Sequence, residues 1–166
     1  LIDGGEEPSF IARRLIISAS EDIGLANPNA MLIAMACAEA LDRIGWPEGR
    51  IPLAEATIYL ATSEKSNSAY LAIDSALEYV RQSGNLPVPL HLRNAPTRLM
   101  ADLDYGKGYK YSHDFPEHFV SQQYLPDKAA DTSFWTPQMH TVHEAKLGER
   151  MKRWWKREKS QKDTAE

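Results

Sequence analysis

Residues 27–50 read NPNAMLIAMACAEALDRIGWPEGR, and the sixteen positions after Pro28 run without a helix breaker and are mostly apolar. Asn27 can cap a helix, Pro28 suits a first helical position, and no breaker occurs before Gly45-Trp46-Pro47. Within the run Ala30, Ala34, Ala36, Ala38 and Ala40 are interleaved with Met31, Leu32, Ile33, Met35 and Leu41, and the first charge is Glu39. A helix with so little polar face must be covered nearly all round. Two coverings fit. Thin neighbouring helices of the same chain can enclose it, or small side chains can admit a second copy at close range. In the second case Ala30, Ala34, Met35, Ala38 and Leu41 are the candidate subunit contacts.

The flanking sequence supplies the neighbours. In PSFIARRLIISASEDIG, residues 8–24, Pro8 opens a helix, Ile11, Leu15 and Ile16 recur at helical spacing, and Gly24 can close it. Pro52 can open a third helix in PLAEATIYLATSE. Ser66 can cap a fourth, NSAYLAIDSALEYVRQSG, in which Tyr70, Ile73, Leu77 and Val80 step by about one turn before Gly84. The expected fold is therefore all-α, with a four-helix antiparallel bundle over residues 1–86.

After Gly84 the composition changes. NLPVPLHLRNAPT, residues 85–97, has three prolines, which favour an extended connector and place a domain boundary near residues 86–94. Residues 87–166 are then a smaller, irregular helical lobe. It holds a short helix TRLMADL entered through Asn94 or Ala95 with Pro96, a second short helix EHFVSQQYL, and a last helix from about His140 to Lys159 with a basic face. No strand pattern and no internal repeat is present.

The formal net charge is −4. It conceals an asymmetry: residues 1–90 carry six Lys and Arg against twelve Asp and Glu, and residues 91–166 carry thirteen against eleven. Between Lys146 and Lys162 the basic excess surrounds Trp154-Trp155, and Lys152, Arg153, Lys156 and Arg157 fall on one side of a helix. Such a stripe is usually a solvated face. The other reading is DNA contact, with Arg93, Arg98, Lys107 and Lys110 contributing. The single cysteine, Cys37, excludes a disulfide framework within one chain, and its apolar surroundings predict a protonated, inert thiol. With no apolar run of about 20 residues and no leader pattern, a cytoplasmic protein without membrane partners is expected. The opening LIDGGEEPSF reads as the start of a piece of a longer chain.

The stretch DYGKGYKYSHDFPEHF, residues 104–119, has the residue types of several chemistries. A phosphate loop requires backbone N–H groups at a helix start with a glycine frame, and Gly106-Lys107-Gly108 followed by Tyr-Lys-Tyr lacks it. His113, Asp114, Glu117 and His118 are all capable metal ligands, but the histidines stand five apart with Pro116 between them, unlike helical zinc motifs. Turn and capping roles, with Asp114 capping the segment after Phe115-Pro116, are the simpler expectation. No nucleophile elbow and no acid/base pair is present, so no catalytic residue, metal site or cofactor site is assigned.

Three segments resemble a known family. IARRLIISASEDIGLANPNA (11–30), GWPEGRIPLAEATIYLATSEKSNSAY (45–70) and LHLRNAPTRLMADLDYGKGYKYSHDFPEHFVSQQYLP (90–126) are similar, in order, to the C-terminal region of the replication-associated recombination protein A family, the MgsA/RarA AAA+ ATPases. Eukaryotic relatives of that family include the Werner-helicase-interacting ATPase. The resemblance spans residues 1 to about 126. It implies that residues 104–119 belong to a helical domain following the ATPase and not to the nucleotide site. The Walker motifs, and with them ATP and Mg, are expected upstream. It further implies a collar-like fold related to clamp-loader subunits and assembly as a homo-oligomer, a tetramer in the family. DNA at stalled or gapped replication forks, reached through the full-length protein, and fork proteins are the implied partners. The chain departs from the family in having Asp104 before the YGKG run and no glycine after FWTP until Gly148.

Overall fold

The computed structural model describes residues 2–162, with side chains through Trp155. Among the described residues the fold is all-α: six α-helices, a few 3-10 turns, one π-helical turn and no strand. The helices are α1 (Pro8–Ser18), α2 (Asn29–Ile44), α3 (Arg50–Thr62), α4 (Ser68–Ser83), α5 (Arg98–Asp102) and α6 (Val142–Lys162). The chain divides into two compact units, Leu1–Ala76 with Phe134–Glu149, and Leu77–Ser133 with Arg150–Glu166. This differs from the expected division at residues 86/87. The boundary falls within α4, and a later segment returns to the first unit.

In the first unit α1, α2 and α3 pack on one another around two apolar clusters. One holds Ala12, Cys37, Leu41, Leu53 and Ala56; the other holds Ala19, Ile23, Ala30, Ala34 and Leu60. Alanine supplies half of these ten residues, so the helices approach closely with little side-chain volume between them. The bundle has three helices and not four. Of α4 only Ser68 is buried, while Tyr70, Ile73, Leu77 and Val80 are all exposed. The helical stripe forms as its spacing predicts, but α4 does not turn it into this core.

Local geometry accounts for the chain's course. The first helix leaves regular α geometry at Ala19–Ile23, a π-helical turn, and Gly24 follows with φ +46°. A Cβ at Gly24 would stand 2.8 Å from the Ser66 carbonyl oxygen, so only glycine lets these backbones meet, and the Ser66 N–H donates to the Asp22 carbonyl. The carbonyls at the end of α3 are met by Lys65, whose Nζ donates to Leu60 O and Ser63 O at 2.7 Å each.

Segment 134–149 joins the first unit through polar bonds to the same turn. Trp135 Nε1 donates to Ser68 Oγ, Gln138 Nε2 to Asn67 Oδ1, and the Val142 N–H to Glu64 Oε2. His140 Nε2 bonds Lys65 O, and His143 Nδ1 bonds Leu25 O. At its centre Glu144 is fully buried. Its Oε1 accepts from the Gln138 N–H at 3.0 Å, while Oε2 has no donor in good geometry. Burial pushes this carboxyl up, but the nearby Ser66 and Ser68 hydroxyls, the Gln138 amide and the Trp135 indole outweigh it and hold the pKa below its ordinary value.

In the second unit α5 is capped by Thr97, whose hydroxyl accepts from the Met100 N–H, and not by Asn94 or Ala95. The helix expected over EHFVSQQYL does not form. Glu117 and His118 have φ of 57° and 53°, which ends a single 3-10 turn at Pro116–His118. Beyond it Gln122 uses its side-chain amide to bond both the N–H and the carbonyl of Lys110, competing with regular structure.

Candidate functional site

The two faces of α2 separate the five candidate contact residues. Ala30 and Ala34 have 0% of their surface exposed and Leu41 is buried with them, all inside the three-helix core. Ala38 is half-buried. Met35 points outward at 49% exposure, with Met31 at 49% and Leu32 at 67% beside it. The core face of α2 thus takes Ala30, Ala34, Cys37 and Leu41, and large Met31, Leu32 and Met35 face out. Ala30, Ala34 and Leu41 lie in the core, whereas Met31, Leu32, Met35 and Ile44 are the large apolar side chains that α2 exposes.

The neighbouring helices also carry large apolar residues outward. On α3, Leu53, Ala56 and Leu60 are buried while Ile51 and Ile58 are exposed. On α4, Tyr70, Leu71 and Ile73 are exposed in the first unit and Leu77 and Val80 in the second. Met31 and Leu32 were not among the expected contacts. A usable signal lay in Met31, Met35 and Glu39, which stand one turn apart, so the helix's first charge marks the outward face.

Elsewhere in the first unit an open cleft of about 460 Å3 is lined by Asn27, Tyr59, Glu64, His143 and Lys146 among others. Its polar groups largely bond one another: Asn27 Nδ2 donates to the Tyr59 hydroxyl and to Ser63 Oγ. Cys37 is buried, and burial together with the Glu55 carboxylate pushes its thiol pKa up, a poor setting for a nucleophile.

The second unit holds the remaining sequence candidates. Gly106-Lys107-Gly108 forms a turn in which Lys107 Nζ donates to Asp104 Oδ1 at 2.8 Å, and that bond holds the ammonium pKa above its ordinary value. His113 and His118 lie ring to ring at 4.9 Å, but among the described residues no three His, Cys, Asp or Glu side chains gather as a metal site would require. Asp114 lies in a 3-10 turn, and the turn that follows has no side-chain cap. Arg93 lies over the Tyr105 ring and bonds its hydroxyl. Arg98, Lys110 and Lys152 are exposed. Arg153 pairs with Glu117 at 3.5 Å. Lys156 and Arg157 lie outside the described side chains.

A conserved-domain model described as "MgsA AAA+ ATPase C terminal" matches residues 1–155. The chain belongs to this family. Among its relatives, Replication-associated recombination protein A of Coxiella burnetii is 46% identical over 138 residues, covering 82% of this chain and 31% of that protein. The protein of the same name in Escherichia coli K12 is 40% identical over 152 residues, covering 91% and 34%. A eukaryotic relative, ATPase WRNIP1 of Dictyostelium discoideum, is 40% identical over 135 residues, covering 81% of this chain and 15% of that protein. The chain spans about a third of the length of these bacterial relatives. It is the C-terminal domain of a replication- and recombination-associated AAA+ ATPase family, and the match reaches past residue 126 into α6.

Proposed function

We propose that this domain assembles copies of an AAA+ ATPase. The observation that carries the reading is the amount of exposed large apolar surface: alanine supplies half of the core clusters, while Met31, Leu32, Met35, Ile58, Ile73 and Val80 face outward. Burying one large apolar side chain is worth about 1.5–3 kcal/mol. A single copy leaves that stabilisation unrealised, and exposed apolar surface on this scale marks an interaction site. A second copy of the chain is the natural occupant, because helices with apolar outer faces complement one another and a stable contact needs roughly 1,200–2,000 Å2.

On this reading the domain carries no chemistry of its own. ATP and Mg act in an upstream ATPase domain, and the assembly, a tetramer or another closed ring, brings several such sites together on DNA at stalled or gapped forks. The family's association with replication and recombination supports that setting.

Leu32→Glu, Met35→Glu and Ile73→Glu combined test the idea. All three positions are exposed in one copy, so helical content by circular dichroism should be retained while the mass in solution falls to that of a single chain. A triple variant with the mass of the unmutated assembly would overturn it.

A further inference from the structure

The open cleft of the first unit keeps hydrogen-bonding capacity that its own walls leave unused. Its volume of about 460 Å3 is that of a small-molecule site, and its lining comes from the approach to α2, the end of α3 and the start of α6. Asn27 is committed: Oδ1 accepts from the Asn29 N–H, and Nδ2 donates to the Tyr59 hydroxyl at 2.9 Å and to Ser63 Oγ at 3.3 Å. Ser63 in turn donates to the Tyr59 carbonyl at 2.8 Å. Tyr59 thus accepts at its phenol oxygen and has its own O–H proton left to give. On α6, His143 donates from Nδ1 to the Leu25 carbonyl at 2.8 Å. That bond fixes the tautomer, so the neutral ring presents Nε2 as an acceptor. Glu64 takes the Val142 N–H on Oε2 and keeps Oε1 unused. Lys146, one turn after Val142 and His143 on the same helix face, has no partner among the described residues.

Two donors, the Tyr59 hydroxyl and the Lys146 ammonium, and two acceptors, Glu64 Oε1 and His143 Nε2, therefore line one cleft. Tyr59, Glu64 and His143 are each held by a second bond, which sets a built site apart from a chance gathering of surface side chains. Glu64 and Lys146 share the cleft without pairing with each other. A ligand that satisfies both sets carries an anion and a protonated amine close together. Ala26 and Val142 add apolar wall for a short hydrocarbon body. A phosphate would be repelled by Glu64, and a polyamine by Lys146.

We propose that the cleft binds a small zwitterion, a free α-amino acid, with its carboxylate on Lys146 and Tyr59 and its ammonium on Glu64 and His143. The inference goes beyond the assembly reading and uses none of the outward side chains on which that reading rests.

The test is saturation-transfer NMR of the whole chain with L-leucine, with isoamylamine, which lacks the carboxylate, and with isocaproate, which lacks the ammonium. Leucine is expected to bind on the order of tenfold more tightly than either analogue. Lys146→Met should bring leucine down to the level of isoamylamine, and Glu64→Gln down to the level of isocaproate. Both side chains are exposed, so circular dichroism and the mass in solution should match the parent in each variant. A chain that proves to be a single copy in solution and still prefers leucine would defeat the assembly reading alone. Equal binding of the three probes, no transfer to leucine, or Lys146→Met and Glu64→Gln variants that bind leucine like the parent would each overturn the proposal.

Discussion

Ala34 has no exposed surface and lies between helices whose other core residues are mostly small. Ala34→Glu therefore forces a carboxylate into space that has neither volume nor donors, and destabilisation of about 4 kcal/mol or more is expected in urea unfolding. A variant that kept its stability but lost mass would instead put Ala34 on an outer surface. Glu144 is the opposite case, a buried charge that the fold accommodates. Because its folded-state pKa lies below the ordinary 4.5, its ionisation contributes stability that is present above that value and lost as pH falls through the folded pKa. The melting difference between the parent chain and Glu144→Gln should thus be largest near neutrality and shrink below about pH 4.5. Parallel curves down to acid would mean that the hydroxyls of Ser66 and Ser68 do not stabilise the anion.

At the level of helices, local signals marked most of what forms. Pro8 opens α1, the breaker-free run becomes α2, and Gly84 follows α4 with φ +70°. The covering of each face was not visible in the same way. Periodicity shows which residues share a face, but not whether that face meets the same chain, another copy or water. Hence Tyr70, Ile73, Leu77 and Val80 form a helical stripe without entering the core, and Ala30 and Ala34 enter it. The EHFVSQQYL segment failed for another reason: the left-handed pair Glu117-His118 stops the helix, the Glu117 carboxylate meets Trp154 and Arg153 far along the chain, and no neighbouring residue announces it. The turn Glu64–Ser68 was legible as a cap for α4, since Ser66 Oγ does accept from the Ser68 N–H. Its second role, anchoring residues 135–144, depends on bonds spanning some seventy positions and has no local signature. The aromatic run near residues 104–119 was legible only as composition; its contacts with Trp154 and Trp155 of α6 required the fold.

For the molecule as a whole, the outward side chains carry the meaning. A three-helix core lined with alanine is thin, and the larger residues that would thicken it are turned away on α2, α3 and α4. Among the described residues no helix is long and apolar enough to cross a membrane, so lipid does not account for those faces through a spanning helix. On the proposed reading a second copy of the chain covers them. Static and dynamic light scattering of the unmutated chain over a dilution series measures this outright. The account predicts a particle of several chains that persists on dilution, dissociating only when the outward faces of α2 and α4 are charged. A stable, fully helical particle with the 18.7 kDa mass of one chain at every concentration would contradict it.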